Sequence, residues 1–193
     1  MVTIFPSHWP FALQIAIAAL LAEFASYWAH RLHHEHPALW WLHALHHGSE
    51  RLYALNNFRI HPLNYAINYV FGIVPLLLIG TPQEVILGYF AVTYPVLMLQ
   101  HANLPLQSGW FNYVFSTNEV HRWHHSRCAG EGDSNFGRAL VLWDQVFGTF
   151  RYAPAGNDPA GVGLYVGSHY PARASFLAQL SSMFLPTCCR SAA

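Results

Sequence analysis

The chain has 193 residues, enough for one domain with a single core. Only 9% of them are charged, against about 25% in an ordinary soluble domain, while 53% are hydrophobic and 16% aromatic, so a typical soluble fold and a disordered chain are both disfavoured. All nine basic residues are Arg and nine acids balance them, which leaves no electrostatic footprint for nucleic acid.

The first apolar stretch runs from Trp9 to Ala29, interrupted only by Gln14 and Glu23, and is long enough to cross a bilayer core of about 30 Å. No Lys or Arg precedes Arg31 and no small-residue cleavage site follows, which argues against a cleaved signal peptide. Two further stretches, Leu63 to Ile79 and Gln83 to Leu99, flank the turn Gly80-Thr81-Pro82 and read as a hairpin that enters the bilayer and returns, with Pro75 and Pro95 as candidate kinks. Every Arg lies outside these three stretches, in 30–62 or 100–193. The positive-inside rule then puts both segments in the cytoplasm. The expectation is an all-α integral membrane bundle of about three transmembrane helices with a cytoplasmic, histidine-rich helical cap. Residues 1–153 would form the membrane domain. Residues 154–193 would form an irregular tail, Gly/Pro-rich from Pro154 to Gly167, with an interfacial helix over Ala172 to Leu185. The three cysteines, Cys128, Cys188 and Cys189, make no disulfide framework and read as reduced thiols. Trp40, Trp41, Trp110, Trp123 and Trp143 read as interfacial anchors.

Histidine is the anomaly, with 14 copies against nine Lys plus Arg. Three clusters stand out on the inferred cytoplasmic side. His30-Arg-Leu-His33-His34 ends the first stretch, and a continued helix puts His30 and His34 one turn apart on one face. His43-Ala-Leu-His46-His47 follows a restart at His36-Pro37, with Gly48 as its stop. His121-Arg-Trp-His124-His125 repeats that spacing behind Ser116-Thr-Asn-Glu119, a capping-box pattern. His61 and His101 join them where the chain enters and leaves the hairpin. His8, His33, His36 and His169 are read as ordinary solvated or hydrogen-bonded groups. The clusters alone offer eight imidazoles, and ten with His61 and His101; a zinc site uses about three or four, so the number suits two ions. Imidazole serves zinc, copper, iron and nickel alike, so the spacing does not choose the element.

The His-x3-His, His-x2-His-His, His-x2-His-His order resembles that of the fatty acid hydroxylase / sterol desaturase superfamily, in particular its bacterial sterol-desaturase-like members. The likeness extends to Tyr27-Trp28-Ala-His30-Arg31, Phe58-Arg-Ile-His61-Pro62, Asn135-Phe-Gly137 and Trp143-Asp144-x-x-Phe147-Gly148-Thr149, and covers Glu23 to Phe150, about two thirds of the chain. Two features depart from the family's pattern: only 29 residues precede His30, and Glu23 stands where Asp is expected. The resemblance implies two iron ions, O₂ as co-substrate, and oxidation of an unactivated C–H bond in a lipid to an alcohol or an alkene. It also implies a separate electron donor (a ferredoxin, a cytochrome b5-like protein or a reductase) and a bacterial inner-membrane setting. Asp144, Glu119, Asp133, Asn103 and Asn135 are candidates to orient the ligand imidazoles. The rival from another class is a membrane metal carrier or sensor. Ion passage needs polar groups part-way through the bilayer, whereas these histidines gather at one face. A zinc hydrolase is disfavoured because no HExxH helix occurs.

Overall fold

The structure, a computed structural model, describes residues 4–153, 158–185 and 188–189. Among these residues the chain is helical, with two isolated bridges, Phe115 to Leu140 and Ser126 to Val162, and no strand. Helix α1 spans Phe11–Glu35 and α2 Pro37–His47. Proline forces the residue before it out of the helical region, so His36 is extended (φ −106°, ψ 120°), α1 stops, and Pro37 opens α2 in a first turn where no N–H is needed. The hairpin is α3 (Pro62–Leu78) and α4 (Gln83–Gln100), both running through their internal prolines. Gly80 (φ 77°) closes α3: its N–H reaches Leu77 O (3.1 Å) and the Thr81 N–H reaches Leu76 O (3.0 Å), the paired bonds of a Schellman stop.

The core is set by small residues on α1. Ala18, Ala22, Ser26 and Ala29 are buried along one stripe, and α3 and α4 pack against it. A Cβ on Gly72 would lie 2.9 Å from Ser26 Oγ, and one on Gly88 2.5 Å from Ile15 Cδ1, so both glycines permit close helix approach. One more turn of the same α1 face carries His30, His33 and His34. The stripe that packs the bundle therefore delivers the imidazoles to its end.

Helix α1, 25 residues and about 38 Å long, is the one helix among the described residues long and apolar enough to cross a membrane. Helix α3 is a shorter apolar helix of 17 residues, and Gln83, Glu84 and Gln100 dilute α4 at its ends.

Several local expectations are corrected. Gly48 ends α2 with φ −68°, not left-handed; a Cβ there would lie 3.2 Å from Arg59 Nη2, so close approach explains the glycine. The helix after Ser116, α5 (Asn118–His124), is capped by Thr117, whose Oγ1 accepts the Val120 N–H. Gly130 lies inside a single turn, α6 (Ala129–Gly132), and α7 covers Leu142–Phe147. In the tail the helix is short: α8 (Phe176–Ser181) runs into a 3₁₀ turn, Ser182–Phe184, and packs on α2. Residues 154–157 of the Gly/Pro-rich segment lie outside the described residues. Trp41 is core, donating to Ser182 Oγ (2.8 Å), and Trp123 is buried, whereas Trp110 is exposed. The sulfurs of Cys188 and Cys189 are joined in a disulfide instead of standing reduced, adjacency leaving no loop to close; Cys128 is free and exposed.

Candidate metal centre

Nine histidines converge at the end of the α1, α3 and α4 bundle and sort into two groups. His30, His34, His43, His47 and His124 form one; His46, His101, His121 and His125 form the other, and within each the nearest ring nitrogens all lie within 4.8 Å of one another. Each His-x2-His-His cluster is split between the two. Consecutive helical residues diverge by about 100°, so the i, i+4 pair points one way and the i+3 residue the other. Helix α2 sends His43 and His47 to the first group and His46 to the second; α5 and its C-cap residue His125 send His121 and His125 to the second and His124 to the first. The groups abut, with the His47 and His125 rings stacked 4.3 Å apart.

Both groups fit a cation better than they fit one another. Ring nitrogens meet Nε2 to Nε2: His30 to His43 at 3.0 Å, His47 to His124 at 3.1 Å, His46 to His101 at 3.2 Å. His101, His121 and His125 close a triangle of 3.1, 3.1 and 3.2 Å. A neutral imidazole nitrogen is either an N–H donor or a lone-pair acceptor, so three in mutual contact cannot form three donor–acceptor pairs. Nitrogens sharing one ion at about 2.0–2.1 Å would stand roughly 3.0–3.4 Å apart, which is the spacing seen. His34 Nε2, buried and without a hydrogen-bond partner, also faces a group of nitrogens. Burial, reinforced by neighbouring imidazoles, holds His43, His47, His101, His121, His124 and His125 well below the ordinary histidine value. Burial also lowers His46 to about 4. The rings are therefore neutral at pH 7 and carry the lone pairs that a metal needs.

The family model for fatty acid hydroxylase matches residues 15–149. The chain belongs to the fatty acid hydroxylase family. It is 41% identical over 179 residues to the ornithine lipid hydroxylase OlsE of Rhizobium tropici, covering 93% of this chain and 53% of that protein. It is 29% identical over 134 residues to human alkylglycerol monooxygenase (69% of this chain, 30% of the relative) and 30% identical over 159 residues to that of Caenorhabditis elegans (82% and 30%). The chain thus spans about half the length of the first relative and less than a third of the others. No solved structure matches it.

The family's flanking motifs build a scaffold around the first group. His30 Nδ1–H donates to Phe136 O (2.8 Å) and His124 Nδ1–H to Ser134 O (2.8 Å). Asp144 does not touch an imidazole; it accepts the N–H groups of Phe136 (2.7 Å) and Gly137 (2.8 Å) and the Thr149 hydroxyl (2.8 Å), so it holds the carbonyl that holds His30. Burial pushes its carboxyl up to about 6 despite those three donors. Asn135, left-handed at φ 54°, ties Val120 O and Arg151 beside Ser134. Glu23, buried, accepts from Ala139 N (2.7 Å), Leu140 N (3.0 Å) and Tyr89 OH (2.9 Å), anchoring the same loop to α1. Asp133 accepts directly from His34 Nδ1–H (3.1 Å).

Other expected residues stand elsewhere. Glu119 accepts from Ser108 N (2.6 Å) and Asn112 Nδ2 (3.1 Å), pinning the loop before α5. Asn103 is exposed and lines a surface cleft with Glu119 and Arg122. His61 lies outside both groups: its Nδ1 accepts the Leu63 N–H (3.2 Å), capping α3, and its Nε2–H donates to Leu180 O (3.2 Å). Three contributors were missed. Tyr165, in a tail without motifs, sits 2.9 Å from His34 Nδ1, donates to Asp133 (2.6 Å) and stacks on Trp40 (4.8 Å, 5°). His33 and Asn64 form a buried chain behind His43, from Ala29 O to His33 Nδ1 (2.6 Å), His33 Nε2 to Asn64 Nδ2 (2.9 Å), and Asn64 Oδ1 to His43 Nδ1 (3.0 Å). His33 was visible as part of the first cluster but lies off the i, i+4 face; nothing marked Asn64.

Proposed function

We propose that this chain is a membrane-bound, non-haem di-iron oxygenase that inserts oxygen into an unactivated C–H bond of a lipid. The observation that carries the reading is the pair of abutting, all-imidazole groups, five and four strong, in a member of this family. His30, His34, His43, His47 and His124 would hold one iron, and His46, His101, His121 and His125 the other. Such a pair supplies reductive activation of O₂ and oxidation of the bond. The chain's own part is to keep the imidazoles neutral, to orient four of them, His30, His124, His34 and His43, through Phe136, Ser134, Asp133 and Asn64, and to exclude water with Phe136, whose ring packs 5.2 Å from His34 and 5.9 Å from His124. The 41% identical relative, an ornithine lipid hydroxylase, favours hydroxylation over desaturation and a polar membrane lipid as substrate. Electrons come from a separate donor, a ferredoxin, a cytochrome b5-like protein or a reductase.

Surface chemistry supports a membrane setting. The outward faces of α1, α3 and α4 expose Leu13, Leu21, Val70, Leu78, Leu87 and Val92, apolar surface suited to lipid. With α1, α3 and α4 as three spans, every Arg belongs to a segment that starts on the histidine side, with Arg138 reaching in to Tyr89 and Glu23, and the positive-inside rule favours the cytoplasm of a bacterial inner membrane for that side.

The test is elemental analysis with Mössbauer spectroscopy on detergent-purified protein from iron-57-grown cells. Two irons per chain with a coupled spectrum, and a lipid product whose added oxygen derives from ¹⁸O₂, are expected. Zinc alone, with no iron taken up on anaerobic reconstitution, would overturn the oxygenase in favour of a carrier or hydrolase.

A further inference from the structure

We propose that His33 is a positioning residue: through Asn64 it dictates which nitrogen of His43 carries a proton, and so leaves His43 Nε2 free for the metal. The inference rests on the metal-centre reading above and deepens it.

The argument starts from a group with no choice. A backbone carbonyl only accepts, so the nitrogen 2.6 Å from Ala29 O, His33 Nδ1, is the protonated one. Burial keeps His33 neutral, so its Nε2 is a lone pair and can only accept. The group 2.9 Å from it must then be the donating end of the Asn64 amide, Nδ2. That settles a side chain whose two ends are otherwise interchangeable, because the oxygen is left facing His43 Nδ1 at 3.0 Å. An amide oxygen only accepts, so His43 Nδ1 bears the proton. Its Nε2, 3.0 Å from His30 Nε2, presents a lone pair to the first group.

Each link is buried. His33 and Asn64 are both 0% exposed and His43 is 4% exposed, so the chain runs between protein groups shielded from bulk solvent. The proton on His43 is therefore decided three residues away, at the α1 backbone. The other imidazoles of the group with a partnered Nδ1 are set by a carbonyl or by Asp133 and Tyr165 at first remove. His43 alone is oriented by an ambidextrous side chain, and His33 removes the ambiguity. Without His33, Asn64 is free to turn its NH₂ toward His43, which then favours the tautomer with Nε2 protonated and unable to ligate.

The experiment measures zinc per chain and its affinity by chelator competition, on the whole chain in detergent. The wild type, His33→Ala, Asn64→Leu, Asn64→Asp and the double variant His33→Ala/Asn64→Asp are compared, with thermal melts to register folding. The wild type is expected to hold two equivalents. His33→Ala and Asn64→Leu should each weaken one of them by about 10–100-fold and spare the other. An aspartate at position 64 accepts with either oxygen, so the double variant should regain the affinity that His33→Ala loses. A role for His33 in packing alone would show no such rescue. Where His33→Ala does not fold, Asn64→Leu, which keeps His33, carries the same expectation. Unchanged affinity in these variants, or no rescue in a folded double variant, overturns the relay and leaves the centre standing. A wild type that holds no metal overturns the centre itself.

Discussion

The two histidine groups are built from the same helices and the same residue type, yet they are held differently. In the first group four of five imidazoles have a partner on Nδ1: Phe136 O for His30, Asp133 and Tyr165 for His34, Asn64 for His43, Ser134 O for His124. In the second group the Nδ1 atoms of His101, His121 and His125 are buried without one, and His46 has only the more distant Arg59 and Asn56 carbonyls. A buried N–H left unpaired costs about 1–3 kcal/mol, and in the first group only His47 Nδ1 is so placed, so the second group carries the larger share of that cost. The first group is fixed before any ion arrives, by α1, α3 and the 133–137 loop. The second is held by packing between α2, α5 and the end of α4, and its tautomers are set by whatever its Nε2 atoms bind.

The sharpest way to break this comparison is to cut neighbours that serve different groups. His124, the last residue of α5, and His125, which caps it, are consecutive but serve different groups. His124→Ala should remove the ion of the first group and His125→Ala that of the second, each leaving one metal equivalent and lowering oxygenation to background. Metal analysis with product assay separates the two. Loss of both equivalents in either variant would mean that the groups form one cooperative unit.

Acid is the next largest lever. An imidazole whose folded value is lowered takes up its proton in the unfolded chain first, so stability is full above about 6.5 and falls as pH drops toward the folded value. For His46 that window runs from the ordinary 6.5 down to about 4. The same direction holds for His43, His47, His101, His121, His124 and His125. Each contributes about 1.4 kcal/mol per pH unit inside its window, so the metal-free protein should lose cooperative unfolding in mild acid. Metal loading should move that midpoint to lower pH; melts at pH 7.5, 6.5 and 5.5, with and without metal, measure it.

Chelation gives a smaller and more specific contrast. With its Nδ1 partners in place the first group should release its ion about 10–100-fold more slowly than the second. The double variant Asp133→Asn/Tyr165→Phe weakens the acceptor on His34 Nδ1 and should narrow that gap, leaving the second group's release rate unchanged. Stopped-flow competition with a coloured chelator resolves the two phases.

Much of this was legible in the sequence, and the reasons differ by region. Periodicity and proline placed α1 to α4 within about two residues, because apolar runs and helix stops are local signals. The convergence of histidines was legible because eight imidazoles at i, i+3 and i+4 have few other uses, with His101 added by its place at the end of the hairpin. Their partition was not read, although the divergence of consecutive helical residues contains it. The support was legible only by resemblance. Asp144 was marked, but its role through Phe136 depends on a loop conformation that no spacing encodes. Tyr165 reaches His34 across 131 residues of chain. The stretch from Trp9 to Ala29 reads as apolar, but that Ser26 faces Gly72 across the helix pair depends on packing that the stretch itself does not encode.

His61 supplies the smallest and most discriminating effect. Its sequence context, at the mouth of the hairpin beside Arg59, placed it with the ligands. In the structure both ring nitrogens are occupied, one capping α3 and the other reaching Leu180 O in the tail. A metal would have to break one of these bonds. Asparagine at 61 retains a side-chain acceptor for the Leu63 N–H and is a good cap, but it is too short to keep the contact with Leu180. His61→Asn should therefore keep two metal equivalents and full affinity, and lower stability by about 1 kcal/mol, seen as a small drop in melting temperature. Loss of metal from a folded His61→Asn protein would instead restore His61 to the ligand set. It would also mean that the tail, through Leu180, yields when the centre fills.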